Sequence, residues 1–520
     1  MQLYNTEARR KETFQPLGDV VKMYVCGLTP KNDPHLGHAR SFTINDVARR
    51  YLEYRGYKVR YIQNFTDIDD KIIAAGLREG IPPFEAAKRY TDAYFEVMGR
   101  IGVRPADEFT YVTQYIPQII EMVAGLIEKG HAYEVDGDVF FSVPSFPAYG
   151  RLSGRDEKAM KAGARIEEDP RKRDPRDFAL WKAAKPGEPW WESPWGHGRP
   201  GWHIECSTMA LHALGERIDI HGGGADLIFP HHENEIAQTE SFTGAVPFVR
   251  YWFHTGMLSL PEDDSSQPAS QAELDADAEA ETVAREEGEE PGDVGRKMAH
   301  SGTFVTIASV LASGEIPPMA LRTYLLGQKY RATLVYSDEQ LRASVMRWRS
   351  WVETATNLRR ITTWAESART DAQATDADAT KLRESLDAAR ADFIAAMDDD
   401  LNTSRALSVV DELAHRINDY ANGLRSHALA ADTAETLRAA LATLTEITGV
   451  LGIALAEEEA ASGGLTAEAR AEIDELVRQR GEARTAKNWA ESDRILNLLD
   501  ERYHVTVKDT PQGAVWSVKE

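Results

Sequence analysis

The sequence predicts an α/β protein with a parallel β-sheet in its first half and helices through its second, and three observations carry this. Residues 20–26 (VVKMYVC) read as a buried strand running into a glycine- and proline-rich turn, GLTPKNDPHLGHAR. Residues 42–54 then have helical apolar spacing, and residues 57–64 alternate as a strand does. Strand, glycine turn, helix, strand is the unit of a parallel sheet, whose ligand site lies at the strand C-terminal ends. Third, apolar residues recur at helical spacing from about 318 to 455, as in ALSVVDELAHRI and LRAALATLTEITGVL, which predicts a helix bundle.

A chain of 520 residues is too long for one ordinary core. Residues 1–260 are expected to form a Rossmann-like domain, with an inserted module at about 95–200 that starts with helices and continues with short strands such as DVFFSVP. Residues 261–293 are acidic, low in complexity and free of aromatics, a composition expected to stay disordered. A loop and contact region follows at 294–335, then the α-helical bundle at 336–456 and a linker, EEEAASGG, at 457–464. A small α+β module at 465–520 ends the chain, with YHVTVKD and GAVWSV predicted to pair as a hairpin.

The net charge of −23 argues against a protein that coats nucleic acid non-specifically. Residues 262–293 alone hold thirteen Asp/Glu against one Arg, a net of −12, so local basic faces remain open elsewhere. The first twenty residues are charged, and no apolar run approaches the ~18–20 residues that span a membrane. A cytoplasmic protein with no membrane partner is expected. In that reducing setting Cys26 and Cys206, the only cysteines, are not expected to form a disulfide. Inert core thiols, metal ligation and catalysis all remain open for them at this point.

His35-Leu36-Gly37-His38 sits where the first strand meets the first helix. A helix N-terminus offers unpaired N–H groups and partial positive charge to a polyphosphate. Gly37 permits close approach, and the two histidines flank it as donors. The wider string VCGLTPKNDPHLGHARSF resembles the HIGH-box region of class I aminoacyl-tRNA synthetases, specifically the cysteinyl-tRNA synthetases. The resemblance continues in order through NFTDIDDKI at 64–72, GRPGWHIECS at 198–207 and HGGGADLIFPHHENEIAQ at 221–238. It extends through AMDDDLNTSRAL at 396–407 and TPQGAVW at 510–516, and covers essentially the whole chain outside the acidic segment.

The resemblance implies a catalytic domain, an anticodon-binding C-terminal module and a site for one zinc ion on Cys26, Cys206, His231 and Glu235. His231 and Glu235 are four apart in HHENE, so a helix would point both to one side. Both cysteines are expected at strand ends beside the phosphate turn; a closed structural zinc or a pair of core cysteines is the plainer alternative. His232 is the alternative ligand if the register differs. Zinc binds thiolate well and a neutral hydroxyl poorly, so an open metal could select cysteine where size alone gains only ~1–3 kcal/mol. Thr66 and Trp202 match positions that contact the amino acid, although Thr66 also fits a helix N-cap, as T-D-I-D resembles a capping box. Asp226 matches a nucleotide-binding segment in which a carboxylate accepts from ribose hydroxyls.

The class's second signature, KMSKS, corresponds here to Lys297-Met298-Ala299-His300-Ser301, with His300 in place of the second lysine. Lys297 and His300 are therefore assigned to ATP with His35, Gly37, His38 and Asp226. Near the C-terminus Arg480, Arg484 and Lys487 fall at helical spacing as one basic stripe, with Trp489 following. Cations beside a stackable ring suit a single-stranded anticodon loop, and the resemblance assigns Arg484, Trp489, Asp493 and Asp509 to it. The expected reaction uses ATP with Mg2+, L-cysteine and tRNA(Cys), and the protein is expected to act as a monomer. Two rivals stay open: a ligase joining cysteine to an amino sugar, and a non-catalytic tRNA-binding descendant motivated by KMAHS.

Overall fold

The computed structural model describes residues 1–155, 169–261, 305–367, 370–371, 377–424, 429–430, 432–456, 467–510 and 513–518. The acidic segment 262–293, the linker 457–464, Lys297 and His300 lie outside the described residues.

The first half is built on a five-stranded sheet, all of it parallel. Its strands are β1 (Val20–Leu28), β2 (Lys58–Phe65), β3 (Glu108–Tyr111), β8 (Ile218–Gly224) and β9 (Val249–Thr255). Spatially they run β9-β8-β1-β2-β3. The chain winds one way from β1 and the other way after β8, so the switch of direction falls between β1 and β8. That crevice is where an open parallel sheet binds ligands. β1 is almost entirely buried, as an apolar central strand covered on both faces must be.

Between β3 and β8 the chain makes a four-stranded antiparallel unit in the order β4-β5-β6-β7: Ala132–Val135, Asp138–Phe141, Phe178–Ala183 and Gly198–Pro200. The inserted module therefore starts later than residue 95. β3 pairs with β2 in the parallel sheet, and its four residues, EFTY, are too short to show a pattern that marks them.

Helices α1 (Leu36–Tyr54), α2 (Asp70–Glu79), α3 (Pro83–Arg100) and α4 (Ile116–Glu128) belong to the sheet layers, with α5 (Trp202–Leu214) and α6 (Glu233–Thr243). After α7 (Pro318–Leu325) come α8 (Asp338–Ser367), α9 (Ala377–Asp398), α10 (Thr403–Gly423) and α11 (Thr433–Val450), the helical bundle. The bundle and the α1 side of the sheet share one apolar core, in which Tyr51 packs edge-on against Phe393. A second core under the other face includes both cysteines. At the C-terminus α12 (Ala467–Thr485), α13 (Trp489–Tyr503) and a hairpin of β10 (Val505–Thr510) and β11 (Gly513–Val518) bury Ile473, Ile495 and Leu499 in a core of their own. No helix among the described residues is long and apolar enough to cross a membrane.

A buried charge network ties these parts together. Asp46 on α1 accepts from Arg322 on α7 and, at 2.8 Å, from Arg50. Arg322 is fully buried and also donates to the carbonyls of Ile101 (3.1 Å) and Leu451 (2.7 Å). Gly452 is required beside it: its φ is +69°, and a Cβ there would strike the guanidinium.

Candidate active site and metal centre

At the start of α1 the His35 side chain is the cap. Its Nδ1 accepts from the backbone N–H of Gly37 (3.1 Å) and His38 (3.4 Å), while His38 Nδ1 accepts from the His35 N–H (3.3 Å). This is a capping box made of imidazoles, with the two rings stacked 3.6 Å apart. Because both Nδ1 atoms accept, the proton of each neutral ring sits on Nε2, where it can be donated outward. Burial, with Lys31 nearby, brings His35 down to about 4, and burial with His35 and Lys31 pushes His38 well down too. They are neutral donors here. The chain at 305–307 docks on the same turn, with Leu36 N–H bonded to Val305 O and Ile307 N–H to Pro34 O. Residues 305–307, a few positions after the KMAHS string, thus lie against the histidine turn.

Cys26 lies near the C-terminal end of β1, where the next residue must be glycine: a Cβ on Gly27 would overlap the Asn64 carbonyl. Cys206 is not at a strand end. β7 stops at Pro200, Gly201 caps α5, and Cys206 sits one turn in, four residues after Trp202 and on the same side. His231 precedes α6: the chain kinks at Phe229, whose φ/ψ of −140°/132° is not helical, and His231 and His232 then lead into the helix carrying Glu235.

All four side chains are buried, with one donor atom from each within 4.8 Å of the others. Cys26 Sγ is 3.5 Å from Cys206 Sγ and 3.5 Å from Glu235 Oε1, and His231 Nε2 is 3.1 Å from the same oxygen. Zinc with bonds of ~2.0–2.3 Å holds tetrahedral ligands about 3.3–3.8 Å apart, so the set fits that ion. The outward atoms are supported from behind. His221 Nε2 lies 2.8 Å from Glu235 Oε2, and His203 Nδ1 lies 3.1 Å from His231 Nδ1, the kind of backing that fixes metal ligands.

Burial alone would raise the Cys206 thiol, but the hydrogen bond from Cys26 and the adjacent His231 bring it to about 6. Burial would lower His231, yet the neighbouring Cys206 and Glu235 hold it at about 10. Cys26 is raised, first by burial and then by Cys206. This is the electrostatics of a thiolate, an imidazolium and a carboxylate crowded together, which a divalent cation would relieve. A second group, Cys26, His221, His232 and Glu235, is equally compact and keeps the His232 alternative open. His232 Nε2 is 3.3 Å from Cys26 Sγ. The roles of His203 and His221 went unread in the sequence, although both stand inside the quoted strings WHIEC and HGGG.

Trp202 is half-buried, its ring 4.4 Å from that of His231, with Lys71 Nζ 5.3 Å from the indole centroid. Thr66 follows β2 and is buried, but it does not cap α2; Asp69 does, accepting from Lys71 N–H at 2.7 Å. Asp226 is exposed in the turn after β8.

Far along the chain, Arg484 and Trp489 are exposed together, the guanidinium 5.6 Å from the indole centroid, and Asp493 is exposed on α13. Asp509 lies in β10, with its side chain outside the described residues. The expected stripe is broken: Arg480 is buried, and Lys487 lies beyond α12 at φ +57°. Helical spacing had assumed that the helix continues and that its charged face is solvated.

A histidine-capped helix start at the switch point of a parallel sheet, followed by a helical bundle, is the architecture of a class I aminoacyl-tRNA synthetase. Residues 13–271 match the family described as tRNA synthetases class I (C) catalytic domain, and residues 392–456 match the DALR domain. The solved methionyl-tRNA synthetase of Mycobacterium tuberculosis shares the fold at TM-score 0.57 and 16% identity, over 86% of this chain and 93% of that one. The structure of an arginyl-tRNA synthetase described as putative, from Campylobacter jejuni, does so at 0.55 and 13%, over 85% and 94%. Cysteine–tRNA ligase of Heliobacterium modesticaldum is 42% identical over 99% of both chains, and that of Dehalococcoides mccartyi 43% identical over 100% of both. The chain belongs to the cysteine–tRNA ligases, and it is an enzyme of the class that charges tRNA.

Proposed function

We propose that this chain activates L-cysteine with MgATP to cysteinyl-adenylate and transfers it to the terminal adenosine of tRNA(Cys). The observation that carries this is the placement of Cys26, Cys206, His231 and Glu235 at the switch point that also presents the His35–His38 helix start. The substrate carboxylate attacks the α-phosphate in line, and pyrophosphate leaves; no protein nucleophile is needed. The Nε2–H groups of His35 and His38 hold phosphate oxygens as neutral donors, Gly37 leaves room for them, and Asp226 accepts from the ribose. Trp202 and Thr66 frame the amino acid. Cys26, Cys206, His231 and Glu235 would hold zinc, which when bound favours a soft thiolate over a hydroxyl. Cysteine-dependent exchange of pyrophosphate into ATP is the test. Exchange driven equally well by serine, or none with any amino acid, would refute the assignment.

The signature's histidine gives a pH prediction. An imidazole titrates near ~6.5 unless phosphates raise it, whereas an ammonium stays charged to about 10. His300→Lys should therefore speed activation by roughly tenfold or more at pH 9, with little gain near pH 6. Identical profiles for wild type and His300→Ala would take this residue out of the reaction.

For the C-terminal module, Arg484→Ala should raise KM for tRNA several-fold and leave tRNA-independent exchange unchanged. An equal loss in both assays would instead give the module a supporting role for the catalytic domain.

A further inference from the structure

Glu205 precedes Cys206 on α5 and is buried to 1% exposure, outside the set of four candidate metal ligands. Its Oε2 accepts a hydrogen bond from the Thr66 hydroxyl at 2.9 Å. Thr66 is anchored at its other end too, its N–H bonded to Leu28 O at 3.2 Å across the sheet. Two more carboxylates stand close by, and both are committed. Asp67 accepts from Thr113 N–H and hydroxyl, and Asp69 caps α2. Among the described residues no lysine or arginine pairs with Glu205. A carboxylate removed from water in this way is costly unless a cation or several donors meet it.

We propose that Glu205, acting through the Thr66 hydroxyl, forms the seat for the α-ammonium group of the amino-acid substrate. With Glu205 ionised its oxygens can only accept, so the Thr66 hydroxyl donates to it and the lone pairs of the Thr66 oxygen are left to accept from a cation. Sulfur and nitrogen are close neighbours in cysteine, and an ammonium seat must therefore adjoin the thiol-binding set. The step from Glu205 to Cys206 along α5 provides that adjacency. Glu205 is then a positioning residue: it fixes the polarity of a hydroxyl that touches substrate. This rests on the reading of the pocket as one for cysteine.

The experiment compares zinc-loaded full-length wild type with Glu205→Gln in cysteine-dependent pyrophosphate exchange. The amide can donate to Thr66 and so reverse the hydroxyl. KM for cysteine should rise roughly 10- to 100-fold, the scale of a hydrogen bond to a charged group, with kcat and zinc content little changed. Two inhibitors isolate the cause. Cysteamine, with a thiol and an ammonium group, should weaken in parallel with cysteine, whereas 3-mercaptopropionate, which lacks the ammonium, should bind both proteins equally. Thr66→Val should match Glu205→Gln without adding to it, and Thr66→Ser should keep near-normal KM. Lost zinc, or equal weakening of both inhibitors, would make Glu205 a support of α5 and overturn the proposal, as would an unchanged KM. Absence of cysteine-dependent exchange in the wild type would strike the cysteine reading itself, and the proposal with it.

Discussion

The Cys206→Ser variant is expected to lose most of its zinc and, with it, most of the preference for cysteine over serine. The substitution removes one soft donor and adds almost no volume change at a buried position on α5, so the fold should persist. Losing even a group that backs a metal ligand costs about 10- to 100-fold in affinity, so losing a ligand should cost at least that much. Selection should then fall to what shape supplies, on the order of 10- to 200-fold. Elemental analysis and exchange with each amino acid measure the two effects separately. The two compact groups predict different patterns. Cys206→Ser and His231→Ala should both release metal if the first group binds it, and His232→Ala should not. The reverse pattern would move the ion to Cys26, His221, His232 and Glu235.

How far the sequence shows this site depends on the range over which each residue acts. The end of the first strand at Cys26 and the i, i+4 spacing of His231 and Glu235 are local patterns, whereas the assignment of these residues to a metal came from the family resemblance. The parallel sheet and the bundle were readable from local patterns too, and the observed strand order agrees with that class. What local pattern hides is the turn between elements. WHIEC looked like a strand end, yet Gly201 starts a helix there, and a kink at Phe229 sets where the helix path through His231 to Glu235 begins. Thr66 has the spacing of a cap, but Asp69 takes that role and leaves the threonine hydroxyl to Glu205. Arg480 shows the same limit: charge suggests solvent, and only packing reveals its burial.

The largest stability effect is expected at Asp46→Asn. Asp46 is buried beneath Arg322, Arg50 and Arg104, the last at 3.6 Å, and the neutral amide would leave Arg322 and Arg50 without their anion, while Arg104 keeps Glu53 at 2.8 Å. Removing one partner of a buried pair costs about 3–5 kcal/mol because the other charge is stranded. Burial pushes the Asp46 carboxyl up, but Arg322 and Arg50 outweigh it and hold it below the usual range. Its contribution is therefore complete above the ordinary carboxylate value of ~3.9 and fades as pH falls through the lower folded value. The loss in Asp46→Asn should be full at pH 7 and shrink in strong acid. Because Arg322 also holds the Leu451 carbonyl at the end of α11, the joint between sheet and bundle should loosen before either part unfolds. Hydrogen exchange should then rise first in the second half of α1, in α7 and at the end of α11. A denaturation midpoint equal to wild type at pH 7 would mean that solvent already screens this network and that the shared apolar core alone holds the two parts together.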